Sequence, residues 1–354
     1  MKILLSGFCL LSFLSLSAQD SLTILFAGDA MMHQKQLDNT RRGDFFDLGS
    51  YFANIEREVK AVDIAVVNFE VPLGGEPYSG YPAFSAPEDF ALALQKAGFD
   101  FFLLANNHCL DRRTRGFVRT IQALDSLGIR HTGTFLDCDH RHRTYPMLLR
   151  KKDFRIIMLN YTYGTNGLKV DIPRIVNYID KEIMKGDIAE AKLFNPDFII
   201  ANMHWGLEYE RIPSREQREL ADWLVIGSPP HVVQPMELRR GKEGVTDRLV
   251  VYSLGNFISN MSREHTDGGV MVKVVLGRKG LRRYIISAQY SLIYSSRYKN
   301  EQGKEDIRVV PAASWSGKNQ NSSFSVDSAL IKYVNNTRLF LKGNNKEVEE
   351  YIFE

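Results

Sequence analysis

The chain has 354 residues, enough for one large domain or two smaller ones. Its 44% hydrophobic and 25% charged residues are ordinary for a globular protein with a sizeable core. The net charge is only +3 and the basic residues form no long run, so a nucleic-acid partner is not expected.

The N-terminal residues predict a cleaved signal peptide over 1–19. Lys2 supplies a positive start, Ile3–Leu16 is almost wholly apolar or small, and small and polar residues follow. The apolar stretch is short for a membrane span, which takes about 20 residues. We therefore expect an exported protein, periplasmic or associated with the cell surface, whose mature chain has no transmembrane span. Cys9 would leave with the signal, and the remaining Cys109 and Cys138 could form a disulfide.

The first half of the mature chain alternates short apolar runs with segments of helical spacing. The apolar runs predict buried strands at Thr23–Ala27, Ile64–Val67 and Phe101–Ala105. The other segments predict helices at Phe45–Val62, Glu88–Ala97 and Thr114–Leu127. This alternation predicts an α/β domain with a largely parallel sheet.

The pattern changes after Tyr145. Two apolar runs, Met147–Leu149 and Arg155–Asn160, predict a β-hairpin. The spacing further along predicts a strand at Phe198–Ala201 between two helices, Ile179–Phe194 and Arg215–Leu224. We expect a second sheet to contain strands at Leu249–Ser253, Val270–Val275 and Tyr284–Tyr290.

The predicted organisation has three parts: the signal peptide 1–19, one domain over 20–310 and a C-terminal extension over 311–354. The extension is polar and rich in Asn and Ser after Pro311. Its end predicts a helix from Asp327 to Leu341.

Polar residues with metal-ligand chemistry directly follow the predicted strands. Asp29 follows the first strand, Glu70 the second, Asn107 and His108 the third, and His204 a later one. Ligands collect at the carboxyl ends of strands in open α/β sheets, and these side chains suit Mn²⁺, Fe²⁺ or Zn²⁺. The residues alone leave an alternative open, because Asp after Gly also forms turns and a lone histidine is often a core residue.

Six short segments, in order along most of the mature chain, carry a family resemblance. They are GDAMMH at 28–33, NFE at 68–70, ANNH at 105–108, HWGLEY at 204–209, HVVQP at 231–235 and YSLGNF at 252–257. The chain resembles the CapA family of poly-γ-glutamate capsule biosynthesis proteins, in the calcineurin-like metallophosphoesterase superfamily. The resemblance implies an α/β fold, a layered α-β-β-α sandwich of the metallo-dependent phosphatase type.

The resemblance implies two bound divalent ions, Mn, Fe or Zn, and a ligand set. Asp29 would bridge the two ions, and Glu70 would be the second acidic ligand. His231 would bind the first ion, whereas Asn107 and His204 would bind the second.

The resemblance also assigns residues around the ions. His108 would be the general acid beside the leaving group. His33 would either ligate in place of Met31, where the superfamily has a histidine, or only line the cleft. Four residues that follow a ligand position could shape the substrate site or be ordinary loop residues: Trp205, Glu208, Tyr209 and Arg211.

The last motif departs from the family pattern. The family has Gly-x-His-Pro-His where this chain reads Gly-Ser-Pro-Pro-His over 227–231. Pro229 has no side-chain donor atom and cannot bind an ion. The predicted helix also runs through Leu224 straight into Val225, although an α-to-β connection takes about 2–6 residues. We interpret this as an internal deletion beside the site, and we expect one tightly bound ion rather than two.

Two functions of different classes follow. The first is an exported metal-dependent hydrolase with a phosphoesterase-like mechanism, which acts on a phosphoester or on a capsule or envelope polymer beside capsule-synthesis proteins. The second is a non-catalytic polymer-binding or assembly component with an impaired metal site. The intact ligand set favours the enzyme, whereas Pro229 favours the binding protein. A nucleotide-binding α/β protein is disfavoured because a glycine-rich phosphate loop is missing.

Overall fold

The computed structural model describes residues 20–221, 225–228, 230–241, 244–300, 303–315 and 328–353. The predicted signal peptide, Pro229 and Leu224 lie outside the described residues. The helices are α1 (Gln34–Thr40), α2 (Glu56–Lys60), α3 (Glu88–Ala97), α4 (Arg113–Ser126), α5 (Cys138–Thr144), α6 (Lys181–Leu193), α7 (Arg215–Leu220), α8 (Ala312–Trp315) and α9 (Ser328–Asn344).

Most strands belong to two large sheets. In chain order the strands are β1 (Asp20–Ala30), β2 (Arg41–Arg42), β3 (Phe45–Phe46), β4 (Ile64–Phe69), β5 (Phe101–Leu103), β6 (Arg130–Thr132), β7 (Thr134–Phe135), β8 (Met147–Lys151), β9 (Phe154–Thr162), β10 (Ile175–Val176), β11 (Phe198–His204), β12 (Val225–Ser228), β13 (Met236–Arg240), β14 (Thr246–Val251), β15 (Asn256–Ile258), β16 (Gly268–Lys279), β17 (Arg282–Lys299), β18 (Glu305–Pro311) and β19 (Glu349–Glu350).

The first sheet has the order β18-β17-β16-β1-β4-β5-β6, with β15 paired to β1 and β19 to β17. Strands β1, β4, β5 and β6 are parallel to one another, and β16, β17 and β18 are joined by antiparallel pairs. The second sheet has the order β13-β14-β12-β11-β9-β8, in which β9, β11, β12 and β14 are parallel. The predicted hairpin is confirmed as β8 and β9.

Alternating side chains place the two sheets face to face. On β1, Ile24 and Phe26 enter a core that also contains Ile156 and Met158 of β9 in the other sheet. Their neighbours on β1 point to the opposite side, where Leu25 packs in a cluster with the apolar face of α3. The outer face of the second sheet is covered in the same way by α6. The predicted α-β-β-α sandwich is confirmed.

Two helix predictions agree with the structure only in part. The helical spacing over Phe45–Val62 yields a helix only at Glu56–Lys60, because β3 and a series of turns occupy the preceding residues. The helix predicted to reach Leu224 ends at Leu220. Residues 225–228 form the buried strand β12, paired with β11 and β14, so the chain does have room for a strand at this point.

The assignment of three late strands to a second sheet was partly wrong. Strand β14 does lie in the second sheet, between β12 and β13. Strands β16 and β17 instead extend the first sheet, because β16 pairs antiparallel with β1 from Asp20 to Phe26. This pairing joins residues more than 240 positions apart, which periodicity in a single segment does not report.

The C-terminal helix α9 packs into the core between the sheets. Its residues Leu330, Tyr333, Val334 and Leu341 belong to the same apolar cluster as β1 and β9. The Tyr333 hydroxyl donates a hydrogen bond to the carbonyl oxygen of Gly269, 3.1 Å away. The domain boundary at residue 310 stays a prediction.

No helix within the described ranges is both long and apolar enough to cross a bilayer. The two described cysteines are free, with Cys109 buried and Cys138 exposed. The structure therefore contains no Cys109–Cys138 disulfide.

Candidate metal centre

The ends of three strands, β1, β4 and β11, and the start of β15 bring polar side chains to one place between the sheets. Asp29 lies near the end of β1 and is in register with Asn68 of β4 on one side and with Asn256 of β15 on the other. His204 ends β11 in the facing sheet. The carboxyl ends of parallel strands share one edge of a sheet, so this convergence follows from the topology.

Three buried side chains form the centre of this cluster. Ligand atoms of Asp29, Glu70 and His231 all lie within 4.8 Å of one another. Glu70 Oε1 is buried and has no hydrogen-bond partner. It lies 3.8 Å from Nε2 of His231 and 3.9 Å from Nε2 of His204. Metal–nitrogen and metal–oxygen bonds are about 2.0–2.2 Å long. Each of these separations therefore fits a cation that contacts Glu70 Oε1 and the histidine nitrogen opposite it.

Asn68 connects the acidic and histidine sides of the centre. Its Nδ2 donates to Asp29 Oδ1 at 2.8 Å and to Glu70 Oε2 at 3.1 Å, and it lies 3.4 Å from His204 Nδ1. One buried amide thus fixes one oxygen of each carboxylate. The remaining oxygens, Asp29 Oδ2 and Glu70 Oε1, are left for a ligand or for His231.

The other two predicted ligands face each other beside this centre. His204 Nε2 lies 3.0 Å from Asn107 Oδ1, and both residues are buried. Asn107 Nδ2 in turn donates to Asn166 Oδ1 at 3.3 Å. The structure thus brings together the amide oxygen and the imidazole nitrogen of the two residues that the family resemblance assigns to a second ion.

Burial and mutual charge shift the pKa values of the central residues. Burial and the negative charge of Asp29 raise the pKa of Glu70 well above its usual value. Burial works against ionisation of Asp29, but its hydrogen bond and charge interaction with His231 lower the Asp29 pKa. Burial lowers the pKa of His204 to about 3, which keeps this imidazole neutral and able to bind a cation. Two carboxylates this close repel each other unless a proton or a cation lies between them.

His108 is held by an acid that sequence reasoning did not identify. His108 Nδ1 lies 2.8 Å from Oδ2 of Asp111, and the same oxygen accepts a hydrogen bond from the backbone N–H of Phe84 at 2.9 Å. The Phe84 ring also packs edge-on against His108, with centroids 4.8 Å apart. With Nδ1 engaged, Nε2 is the nitrogen left free to meet a substrate.

His33 lies beside the centre and is not one of the three central residues. Its ring packs against Phe84 with centroids 5.2 Å apart, and its buried Nε2 has no hydrogen-bond partner. Burial, with the nearby His231 and His108, lowers the pKa of His33 to about 4.

Residues 23–261 match the family described as bacterial capsule synthesis protein PGA_cap. The chain belongs to this family. The resemblance to CapA proteins that the six motifs predicted is thereby confirmed.

Two curated relatives of this PGA_cap protein come from Bacillus. The capsule biosynthesis protein CapA of Bacillus anthracis is 28% identical over 284 residues, covering 74% of this chain and 65% of the relative. The PGA biosynthesis protein CapA of Bacillus subtilis is 26% identical over 290 residues, covering 76% of this chain and 72% of the relative. The chain thus spans less than two thirds of the length of the Bacillus anthracis protein.

Two solved structures are also similar to this PGA_cap protein. The calcineurin-like phosphoesterase YfkN from Bacillus subtilis has 14% identity and a TM-score of 0.46, covering 91% of this chain and 97% of that chain. A putative 5'-nucleotidase from Staphylococcus aureus has 13% identity and a TM-score of 0.48, covering 90% of this chain and 58% of that chain.

The four candidates for substrate lining occupy different environments in this PGA_cap protein. Tyr209 packs on His231, with ring centroids 6.2 Å apart, and exposed Glu208 lies close enough for its charge to raise the pKa of Glu70. Trp205 is only 2% exposed, belongs to the core outside the second sheet, and donates from Nε1 to the Tyr252 carbonyl oxygen. Arg211 stacks on the ring of Phe340 in α9, 3.8 Å from its centroid.

Sequence reasoning missed three residues that hold the site: Asn68, Asn256 and Asp111. Asn68 and Asn256 lie inside two of the six family motifs, NFE at 68–70 and YSLGNF at 252–257. The sequence therefore placed them near the site but did not indicate which side chains they contact. Asn256 Oδ1 lies 3.1 Å from His231 Nδ1. Asp111 follows His108 by three residues, a spacing that places side chains on one face of a turn.

Proposed function

We propose that this PGA_cap protein is an exported, metal-dependent phosphoester hydrolase that acts during synthesis of a capsule or envelope polymer. The observation that carries the proposal is the buried Glu70 Oε1, which has no partner although it faces nitrogen atoms of His204 and His231. A buried carboxylate oxygen without a partner costs free energy, so such a geometry is typical of a site shaped for a cation.

Asp29, Glu70 and His231 would hold one divalent ion, and His204 Nε2 lies 3.9 Å from Glu70 Oε1. Two carboxylates and an imidazole suit Mn²⁺, Fe²⁺ or Zn²⁺. Such an ion polarises a phosphoryl oxygen and lowers the pKa of a bound water. Asn107 and His204 offer a second position, but the third ligand expected there is replaced by Pro229, which has no donor atom. We infer one strongly held ion and a weak second one.

The residues of this chain would position the phosphoryl group and supply a proton. Asn68 holds both carboxylates in place through its single amide nitrogen. His108, with Nδ1 on Asp111, would donate the proton on Nε2 to the departing oxygen. Asp111 would hold this imidazole in the orientation that proton transfer needs.

A second candidate is a non-catalytic polymer-binding or assembly protein on the same fold. Pro229 at a ligand position favours it, because a site that loses a ligand loses affinity for its ion. The intact His108–Asp111 pair favours the enzyme, because a binding protein has no use for a held proton donor.

The relatives suggest where the protein works. Both are named for capsule or PGA biosynthesis. We infer that the substrate is a phosphoester or polymer linkage of the envelope, met at the cell surface or in the periplasm, beside other capsule-synthesis proteins. Mass spectrometry of the protein from cells tests the export step: we expect a mature N-terminus near Asp20, and an intact Met1 would contradict export.

The activity is tested with a panel of phosphomonoesters and phosphodiesters, with Mn²⁺ and with EDTA. Wild type is compared with Asp29→Ala and His108→Ala. We expect Mn²⁺-dependent hydrolysis that falls by about 10²–10⁴-fold in His108→Ala. Equal rates in the three proteins would remove the catalytic function. A wild type that binds Mn²⁺ but cleaves no ester would favour the binding protein.

A further inference from the structure

The loop that carries Asn107 and His108 is tied to the opposite sheet through a buried amide. This loop follows β5 of the first sheet, and the N–H of its residue Ala105 donates to Oδ1 of Asn160 at 2.8 Å. Asn160 lies in β9 of the second sheet and is only 2% exposed. A side chain of one sheet therefore holds the main chain of the other sheet directly before two residues of the candidate site.

The other end of the Asn160 amide holds the strand β11. Asn160 Nδ2 donates to the main-chain oxygen of Asn202 at 3.3 Å, and Asn202 Nδ2 donates back to the Leu159 carbonyl oxygen at 2.9 Å. The oxygen of the Asn160 amide faces an N–H group, and its nitrogen faces a carbonyl group. Both hydrogen bonds would be lost if the amide turned over, so its two partners fix its orientation.

Asn160 contacts the two sheets at matching positions relative to the site. Ala105 lies two residues before Asn107. Asn202 lies two residues before His204. Asn107 Oδ1 and His204 Nε2 are 3.0 Å apart, although they come from different sheets. The two bonds of Asn160 join the segments that carry this pair, and they therefore limit how far Asn107 and His204 can separate.

Gly133 leaves room for the bond between Ala105 and Asn160. A Cβ at Gly133 would lie 2.2 Å from Asn160 Oδ1 and 2.6 Å from the Ala105 nitrogen, so a side chain there must displace these atoms. Its φ of 106° also favours glycine. The Gly133 oxygen accepts a hydrogen bond from the Asn177 N–H at 3.0 Å, and Asn177 Nδ2 donates to the Asn160 carbonyl oxygen at 3.2 Å. Separate segments of the chain thus meet at this one hydrogen bond.

We propose that Asn160 is a positioning residue that sets the separation of Asn107 and His204 and places the His108 loop for proton transfer. Asn160 acts through the loop and the strand that it joins, and it is not itself a ligand. A misplacement of about 1 Å can cost about 100-fold in rate, so a loose loop would weaken both the second ion position and catalysis. The effect on catalysis rests on the proposed function, whereas the contact between Asn107 and His204 is measurable in the metal-free chain.

The first test is an NMR measurement of proton exchange in EDTA, with the histidines of the mature chain labelled with nitrogen-15. Asn107 Nδ2 donates to Asn166, so Asn107 Oδ1 faces His204 and accepts the proton on Nε2. The exchange rate of this proton with solvent reports how often the contact opens. We expect a rate about tenfold higher in Asn160→Leu, which has a similar volume but makes neither hydrogen bond. Asn160→Asp keeps an acceptor for the Ala105 N–H and should exchange more slowly than Asn160→Leu.

Gly133→Ala disturbs the same hydrogen bond from a different segment. We expect it to raise the exchange rate of the His204 proton as Asn160→Leu does. A chain with both changes should exchange at nearly the rate of Asn160→Leu alone, because both changes remove one bond and their effects do not add.

Asn39→Ala is the matched control. Asn39 is 7% exposed, and its Nδ2 donates to the main-chain oxygen of Glu305 in β18, five strands from β5 in the first sheet. This variant loses a buried amide contact of the same kind and should keep the wild-type exchange rate at His204. Equal rates in Asn160→Leu, Gly133→Ala and Asn39→Ala would overturn the proposal.

The wild-type chain supplies a test that needs no variant. The Ala105 N–H and the His204 Nε2–H should exchange with the same dependence on urea concentration, because one local opening exposes both. Independent exchange of the two protons would overturn the proposal even if a variant failed to fold.

Metal binding and hydrolysis are then measured on the folded variants. In an EPR titration with Mn²⁺, Asn160→Leu should lose at least about tenfold in affinity for the second ion and keep that of the first ion within about twofold. Its kcat should fall by about 10–100-fold with little change in KM. Faster proton exchange without any hydrolysis by wild type supports the positioning role and removes the phosphoesterase activity. Wild-type kcat and wild-type exchange in Asn160→Leu would support the phosphoesterase activity and overturn the positioning role.

Discussion

His231 Nδ1 lies 3.1 Å from Oδ2 of Asp29, although 202 residues separate them in the chain. Asp29 lies one residue before the end of β1 in the first sheet, and His231, with a φ of 64°, follows β12 of the second sheet. The contact therefore forms only when the two sheets have packed together. Binding of a metal ion at this place would tie the two halves of the sandwich to each other.

Asn68 is expected to set the affinity for the ion without binding it. Asn68→Ala removes the amide that holds both carboxylates, so the Mn²⁺ affinity should fall by about 10–100-fold. Isothermal titration with Mn²⁺ measures this change. Asn344→Ala, at the exposed end of α9, is the control and should bind as wild type does. Unchanged affinity in Asn68→Ala would show that the carboxylates need no such support.

Gly28 is expected to tolerate no side chain. A Cβ at this position would lie 1.8 Å from the backbone oxygen of Gly255, so Gly28→Ala must move β1 or the Gly255 loop that leads into β15. We expect a loss of about 1–3 kcal/mol in the free energy of unfolding, together with weaker Mn²⁺ binding. Urea denaturation measures the first quantity.

Gly186 in α6 provides the matched control, because a Cβ there meets no atom within 4 Å. Gly186→Ala should raise the free energy of unfolding by roughly 0.5–1 kcal/mol. A Gly28→Ala protein as stable as wild type would contradict the close approach of β1 and the Gly255 loop.

Asp111 is expected to act on catalysis through His108. Asp111→Asn removes the carboxylate 2.8 Å from Nδ1, so His108 is no longer held in place for proton transfer. We expect kcat to fall by about 10–100-fold with little change in KM, measured by steady-state kinetics of Mn²⁺-dependent hydrolysis. Asp125→Asn on α4 changes the similar pair with His131 of β6, outside the site, and should keep the kcat of wild type. A rise in KM with unchanged kcat would contradict an action through His108.

The stabilising contribution of Tyr51 is expected to decline at alkaline pH. Its hydroxyl donates to Asp306 Oδ1 at 2.6 Å, and burial together with that carboxylate raises the Tyr51 pKa far above 10. The folded-state pKa exceeds the unfolded value of 10. The contribution of Tyr51 to the free energy of unfolding is therefore complete below pH 10 and declines as the pH rises further. Urea denaturation at pH 8 and pH 11 measures this loss. Tyr51→Phe should be about 1–2 kcal/mol less stable at pH 8 and should lose less on going to pH 11.

Local features were predictable where one segment carried the whole signal. The helix after Pro87 was predicted over Glu88–Ala97, and these are its bounds in the structure, because the apolar face and the glycine that follows lie within a dozen residues. The strand ends carrying Asp29, Glu70 and His204 were visible for the same reason. The spacing over Phe45–Val62 misled because buried turns place Leu48, Phe52 and Ile55 on the core at similar intervals.

Features that depend on distant partners were not predictable. The antiparallel pairing of β16 with β1 decides which sheet the late strands join, and no local pattern encodes it. Asn68 contacts Asp29, Glu70 and His204, which come together only in the folded chain. Its role in the site therefore could not be predicted from the sequence.

The most direct test of the central claim is the metal content of the mature chain. The purified protein is equilibrated with Mn²⁺, Fe²⁺ or Zn²⁺, and bound metal is counted by mass spectrometry for wild type, Asp29→Asn and His231→Ala. We predict close to one tightly bound ion per wild-type chain, with an affinity that falls at least about 100-fold in both variants. Two tightly bound ions would contradict the inferred weak second position, and equal binding by the three proteins would contradict a metal centre at Asp29, Glu70 and His231.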